Sequence, residues 1–151
     1  MILRFDELKQ YRRRAAMVDD VFDPLHHGHV RYFRSARQWL DANGHAGVPL
    51  FCNIAPDDYL RTKHEPFLEG PERAEVIDAL REIAYTHLSP ADTETVLREL
   101  QPTHYIKGRE WQRKGLPPEQ ECMCREFGIG IVFCDDHVAS STDRLLRAGN
   151  A

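Results

Sequence analysis

The chain contains no apolar run long enough to span a membrane, and its start lacks the order of a secretion signal. Secretory signals place positive charge before an apolar stretch, whereas residues 1–7 read Met-Ile-Leu-Arg-Phe-Asp-Glu. These two absences predict a cytoplasmic protein with no membrane partner.

The sequence also lacks a large excess of charge of either sign. Its formal net charge is −4 over 151 residues, and its one basic run, Arg12-Arg13-Arg14, is shorter than a nucleic-acid-binding tail. A nucleic-acid partner is therefore not expected. The four cysteines include no C-x-x-C pair, so we expect reduced thiols rather than a zinc knuckle or redox site.

Two histidines three residues apart, His26 and His29, flank Gly28 between an apolar strand and an amphipathic helix. The strand is predicted from Ala15 to Val18. The helix is predicted from Gly28 to Leu40, with Val30, Phe33, Ala36 and Leu40 facing inward. Helix-start N–H groups attract anions, glycine permits close approach, and imidazole adds charge-assisted donors. This segment predicts a nucleotide-phosphate site.

Residues 20–29, Asp-Val-Phe-Asp-Pro-Leu-His-His-Gly-His, resemble the signature G-x-F-D-x-x-H-x-G-H of cytidylyltransferase-like nucleotidyltransferases. Three further segments resemble family motifs in the same order: residues 72–76 (Glu-Arg-Ala-Glu-Val), residues 107–111 (Lys-Gly-Arg-Glu-Trp), and Ser140-Ser141-Thr142 followed by Leu145. The resemblance extends from about Arg14 to Arg147. It predicts a nucleotidyltransferase domain over residues 14–151 and leaves residues 1–13 as an N-terminal extension. The resemblance does not cover this extension, in which Phe5, Leu8 and Tyr11 are expected to form a short docking helix.

Strand-like and helix-like segments alternate along the rest of the chain. Strands are predicted at 48–54, 85–88, 104–107 and 129–134, and helices at 72–83, 92–100 and 118–127, with a last helix opening at Ser140. This alternation is typical of one α/β domain, a single doubly wound, Rossmann-like parallel sheet. Ligands bind such sheets beyond the carboxyl ends of the strands, so all the motifs are expected at one edge.

The resemblance implies transfer of CMP or AMP from CTP or ATP to a small phosphorylated sugar or polyol, with release of pyrophosphate, Mg²⁺ as cofactor and a homodimer. Lys107-Gly108 is closer to heptose-phosphate adenylyltransferases than to glycerol-phosphate cytidylyltransferases, which leaves the base open. The family resemblance also implies catalytic roles for His26, His29 and Lys63. The implied nucleotide-binding residues are Val21, Phe22, Gly28, Arg73, Gly108, Arg109, Glu110, Trp111, Ser140, Ser141 and Thr142.

Several of these residues have ordinary structural alternatives. Thr142 is equally suited to capping a helix, and Lys63 to a solvated loop. Arg73 stands at a predicted helix start, where an ion pair with Glu69 or Glu72 would explain it.

Two departures from the family pattern qualify the assignment. Asp20 replaces the glycine of the signature, and Glu110 replaces an aspartate. A carboxylate at position 20 either turns away from the triphosphate or helps to hold Mg²⁺. These departures suggest, as one alternative, a nucleotide-binding module with weakened catalysis. A second alternative is a metal-dependent hydrolase built on Asp19, Asp20, Asp23, His26 and His29.

Overall fold

The structure, a computed structural model, describes residues 1–135 and 147–149. After a 3₁₀ helix (Phe5–Tyr11), strands and helices alternate in the predicted manner. In chain order they are β1 (Ala16–Asp20), α1 (His27–Ala42), β2 (Leu50–Ile54), α2 (Asp57–Arg61), α3 (Gly70–Asp78), β3 (Ile83–Leu88), α4 (Thr93–Leu100), β4 (His104–Gly108), α5 (Glu110–Lys114), α6 (Pro118–Glu126) and β5 (Gly130–Cys134).

The five strands form one parallel sheet in the order β3-β2-β1-β4-β5. Helices α1 and α3 pack on one face, and α4, α6 and the 3₁₀ helix pack on the other. The predicted doubly wound α/β sheet is therefore confirmed. No helix in the described part of the chain is long and apolar enough to cross a membrane.

The chain reverses its direction across the sheet at β1, which has β2 on one side and β4 on the other. Strands β1 and β2 pair from Ala16–Leu50 to Asp20–Ile54, whereas the β1–β4 register pairs Met17 with Tyr105. Beyond that pair, the buried Tyr32 hydroxyl of α1 accepts the Asp19 N–H and donates to the Ile106 carbonyl. Beyond the Met17–Tyr105 pair, β1 and β4 are therefore bridged by Tyr32 and not paired directly. The crevice between two such strands is where doubly wound sheets bind ligands.

Three details of the helix predictions are wrong. The helix predicted at 72–83 ends at Asp78, and Ile83 begins β3. Ile83 was assigned to the helix because a single buried apolar residue fits the helical period and the strand period equally well. Val30 is only half-buried, while Tyr32 takes an inward position on α1. Helices α2 and α5 were not predicted, since five residues are too few to show a helical period.

The first eleven residues pack against the domain. Leu3 donates its N–H to the Thr86 carbonyl of β3, and Leu8 is fully buried among residues of α4 and the sheet. The docking helix predicted from Phe5, Leu8 and Tyr11 is confirmed as the 3₁₀ helix. The amino-terminal segment thus extends the core on the face that carries α4 and α6.

Candidate active site

His26 and His29 lie at the start of α1 and are held by backbone bonds to their Nδ1 atoms. Gly28 N–H donates to His26 Nδ1 at 3.1 Å, and His26 N–H donates to His29 Nδ1 at 3.2 Å. Because an Nδ1 that accepts a hydrogen bond carries no proton, the proton of each neutral ring is on Nε2. The two rings stack with centroids 4.0 Å apart. The helix start therefore carries two stacked imidazole rings, and the donor of each is its Nε2–H group.

Phe22 supports this pair from the core side. Its buried ring meets His29 edge-on at 5.0 Å and Phe33 at 5.4 Å. Its backbone has φ +56°, a conformation that costs a bulky residue energy and that persists where surrounding structure demands it. The strained turn fixes the histidine ring, and Val21 just before it lines the neighbouring cavity.

Asp23 is used to anchor the loop that follows α2. Its side chain is buried, and its two carboxylate oxygens accept the N–H groups of Phe67 and Leu68, both at 2.7 Å. This carboxylate is therefore committed to the backbone. It connects the histidine turn to the loop that leads into α3.

Asp20, which replaces the family glycine, lies beside the histidines. Its Oδ1 accepts the Val21 N–H at 2.7 Å, and its Oδ2 is 3.9 Å from His29 Nε2. The side chain is about half exposed and also lines the cavity described next. Asp20 thus lies between the histidine pair and the cavity.

A cavity of about 480 Å³ opens at the carboxyl ends of β1, β2 and β4. Its lining is polar at the sheet and partly aromatic at the walls. The lining residues are Asp19, Asp20, Val21, Asn53, Ala55, Pro56, Tyr59, Lys63, Ser89, Ala91, Asp92, Thr93, Glu94, Tyr105, Lys107, Trp111, Pro117 and Gln120. This volume is typical of a small-molecule site.

A buried ion pair forms part of the cavity floor. Lys107 Nζ donates to Asp19 Oδ1 at 2.6 Å, and the Tyr105 hydroxyl donates to Asp19 Oδ2 at 2.8 Å. Lys107 Nζ also lies 4.6 Å from the centroid of the Trp111 ring. Burial, reinforced by the charge of Asp19, raises the pKa of Tyr105 well above its usual value. Tyr105 therefore remains a neutral hydrogen-bond donor.

The residues predicted after β4 lie together at this edge. Gly108 ends the strand, and Trp111, on α5, lines the cavity. Glu110 is exposed at the start of α5, and exposed Arg109 forms a 3.0 Å ion pair with Asp135. Lys63 lines the cavity from the loop after α2, with Nζ 5.1 Å from the Tyr59 ring centroid.

Arg73 occupies a different environment from the other predicted site residues. It is 1% exposed and donates to the carbonyls of Val21 (2.7 Å) and Ala55 (2.9 Å) and to Asp57 Oδ1 (2.5 Å). Its ion-pair partner is therefore Asp57, and the pairing with Glu69 or Glu72 considered from the sequence is wrong. Burial raises the pKa of Asp57, but hydrogen bonds from Gly70 and Arg73 lower it more, so its pKa is below its usual value.

Ser140, Ser141 and Thr142 lie outside the described residues. Within residues 1–135 and 147–149, no three His, Cys, Asp or Glu side chains are grouped as a metal site would require. The hydrolase alternative needed Asp19 and Asp23 as ligands. The structure commits the first to Lys107 and Tyr105, and the second to backbone N–H groups.

Most of the cavity residues were absent from the predicted site, among them Asn53, Tyr59, Tyr105, Lys107 and Gln120. For Asn53 the sequence carried a usable signal, since a polar residue inside the apolar run of β2 must be satisfied by something at the sheet edge. Tyr59 lies on α2, which was not predicted, and Gln120 lies on the predicted helix α6, whose position beside the cavity the sequence did not indicate.

Comparison with known proteins gives the chain its relatives. It is 28% identical over 113 residues to an FAD synthase of Methanohalophilus mahii, covering 74% of this chain and 75% of that one. It is 27% identical over 140 residues to the bifunctional protein HldE of Citrifermentans bemidjiense, covering 89% of this chain but 27% of that protein. The chain therefore spans about a quarter of HldE.

Among solved structures, the fold is similar to a lipopolysaccharide core biosynthesis protein from Thermoplasma volcanium. The TM-score is 0.65 at 23% identity, with 82% of this chain and 98% of that chain covered. The model of the cytidylyltransferase-like protein family matches residues 17–127, a range that includes most of β1, the histidine turn, Arg73 and the segment after β4. The chain belongs to the cytidylyltransferase-like family.

Proposed function

We propose that this protein transfers CMP or AMP from CTP or ATP to a small phosphorylated sugar or polyol and releases pyrophosphate. The observation that carries the proposal is the pair of Nε2–H donors at the start of α1, beside a cavity large enough for an acceptor. Family membership supports nucleotidyl transfer as the reaction class. The low identity to every relative named above leaves base and acceptor to experiment.

The proposed reaction is direct in-line displacement. A phosphate oxygen of the acceptor forms a bond to the α-phosphorus while the bond from that phosphorus to the bridging oxygen breaks, and pyrophosphate leaves with the electron pair. Negative charge grows on the equatorial and leaving oxygens, so aligned donors accelerate the step without a covalent intermediate. His26 and His29 are proposed to donate to the α- and β-phosphates, and Ser141 and Thr142 to hold the outer phosphates.

Mg²⁺ is the proposed cofactor, and Asp20 is its candidate protein ligand. Mg²⁺ bound with a triphosphate needs one or two carboxylates, the remaining ligands being phosphate oxygens and water. The half-exposed carboxylate of Asp20 beside His29 fits that requirement. When bound, the ion neutralises charge on the phosphates.

The two kinds of relative suggest different acceptors for the same chemistry. HldE-like proteins match most of this chain, and Lys107-Gly108 resembles the heptose-phosphate enzymes. FAD consists of FMN joined to AMP, so the similarity to an FAD synthase is the reason to include FMN in the acceptor panel. We also expect a homodimer from the family resemblance, which sedimentation velocity measures.

A thermal-shift screen of ATP, CTP, GTP and UTP with Mg²⁺ tests nucleotide recognition. A triphosphate at about 100 times its Kd stabilises the fold by about 2.7 kcal/mol, which raises the Tm of a domain of this size by about 5–10 °C. We expect ATP or CTP to give that rise. Absence of any rise with all four would contradict the proposal, and a rise without turnover would favour the binding-module alternative.

Asp20→Gly is expected to raise the Mg²⁺ concentration that gives half-maximal rate and to slow turnover, because one ligand of the ion is removed. Initial rates measured across a Mg²⁺ titration for wild type and variant check this. Tighter nucleotide binding with weaker Mg²⁺ dependence would instead mean that the carboxylate repels the triphosphate. Identical titrations would show that Asp20 acts on neither.

A further inference from the structure

Polar side chains form a row across the floor of the cavity, on the sheet face that carries α4 and α6. Asp19 on β1 is paired in register with Asn53 on β2, and Lys107 on β4 reaches Asp19 from the other side. Two residues earlier on the same three strands lie Met17, Phe51 and Tyr105, which belong to the hydrophobic core of this face. Side chains two residues apart on a strand point to the same face of the sheet. All three polar residues are less than a tenth exposed.

The ion pair in this row is electrically neutral as a unit. Asp19 and Lys107 are joined at 2.6 Å, and Tyr105 occupies the second carboxylate oxygen at 2.8 Å. Elsewhere in the lining, Asp20, Asp92 and Glu94 add negative charge and Lys63 adds one positive charge. A phosphate group therefore finds no net positive charge at the floor. Its attraction is to the histidine pair on the other side of Asp20.

Asn53 supplies the observation that points to a ligand. Its side chain is 3% exposed, and its Oδ1 accepts no hydrogen bond from any residue in the described part of the chain. A buried acceptor without a donor destabilises a protein, so such groups are normally satisfied by a ligand or water. Lys107 has three N–H groups, and Asp19 takes one of them in hydrogen bonding. The floor thus offers an acceptor on one side of Asp19 and a donor on the other.

We propose that this floor binds the neutral, hydroxyl-bearing part of the acceptor substrate, with Asn53 Oδ1 accepting from one ligand hydroxyl and Lys107 Nζ donating to another oxygen. A hydroxyl group both donates and accepts, so a polyol matches the alternation of Asn53 and Lys107. The inference rests on the proposed function and adds an orientation to it. The acceptor phosphate points past Asp20 to His26 and His29, and the hydroxyl groups lie on Asn53 and Lys107.

The test compares three phosphate probes that differ in hydroxyl content: D-ribitol 5-phosphate, glycerol 3-phosphate and propyl phosphate. Binding to the ¹⁵N-labelled full chain is followed by NMR through the Trp111 indole N–H and the Asn53 side-chain amide. We expect at least one of the two hydroxyl-bearing probes to bind about tenfold more tightly than propyl phosphate, the effect of satisfying one buried acceptor. Equal affinity for all three probes, or no binding of any, would overturn the proposal.

Asn53→Ala is expected to abolish the tenfold preference and to leave the affinity for propyl phosphate unchanged. Asn53→Ser, which keeps an acceptor oxygen, should retain part of the preference and provides a second variant if the alanine variant does not fold. Thr103→Ala, just before β4 and far from the cavity end of that strand, is the matched control and should retain all of the preference. A preference that survives in Asn53→Ala would overturn the role of Asn53.

The outcome is separable from that of the proposed function. Nucleotidyl transfer without a hydroxyl preference would refute hydroxyl binding at the cavity floor and leave the proposed reaction standing. A hydroxyl preference that depends on Asn53, in a protein that transfers no nucleotide, would refute the proposed reaction and leave hydroxyl binding at the cavity floor standing.

Discussion

His29→Ala and His26→Ala are each expected to lower kcat by 10²–10³, which corresponds to about 2.7–4 kcal/mol of transition-state stabilisation. Each ring is fixed through Nδ1 by a backbone N–H, so that Nε2–H is the donor. Removing it withdraws a hydrogen bond from charge that grows as the α-phosphorus is attacked. Steady-state rates under saturating substrates measure the loss.

His27→Ala is the matched control for both substitutions. It lies between the two histidines in sequence but its side chain is exposed, so its rate should stay within twofold of wild type. A His26 or His29 variant with nearly wild-type kcat would contradict the proposal that these two rings donate to the phosphates. Gln or Asn at either position, which restores an N–H donor, should recover part of the rate.

Arg73→Met is expected to lower the free energy of unfolding by about 3–5 kcal/mol, the range for breaking a buried ion pair by removing one partner. Methionine is similar in length but leaves Asp57 and the carbonyls of Val21 and Ala55 without their donor. Urea denaturation measures the change. Because the guanidinium joins the ends of β1 and β2 to the loop before α3, the site should lose its shape as the fold weakens.

Arg34→Met is the control for this prediction. Arg34 is exposed and pairs with Glu82 at 3.3 Å, an arrangement worth less than about 1 kcal/mol. If Arg73→Met unfolds like wild type yet no longer binds nucleotide, Arg73 contacts substrate, as the family resemblance implied. Loss of stability with nucleotide affinity retained in the folded fraction would identify it as a structural residue.

The parallel sheet was predictable because strands and helices of this chain have distinct periods and short connections. The histidine turn was predictable because its residues form a contiguous motif, so their order alone places them at a helix start. The position of Asp23 in that motif was equally clear. Its role was not, because the N–H groups of Phe67 and Leu68 that it accepts are more than forty residues away.

The cavity floor was harder to predict for the same reason. Asp19, Asn53 and Lys107 come from three strands, and the register that places them side by side is a property of the assembled sheet. Sequence alone offered Asp19 as a metal ligand, since it sits among other acidic residues. In the structure its charge is balanced by Lys107 on a strand 88 residues away.

The most direct test of the central claim measures pyrophosphate and product together. The wild-type chain is incubated with Mg²⁺, each triphosphate in turn, and a panel of phosphorylated sugars, phosphorylated polyols and FMN. We expect one pyrophosphate for each acceptor molecule whose mass has increased by a CMP or AMP group, and none without acceptor. Release of inorganic phosphate instead, or no acceptor-dependent product with any pair, would contradict the proposed nucleotidyl transfer.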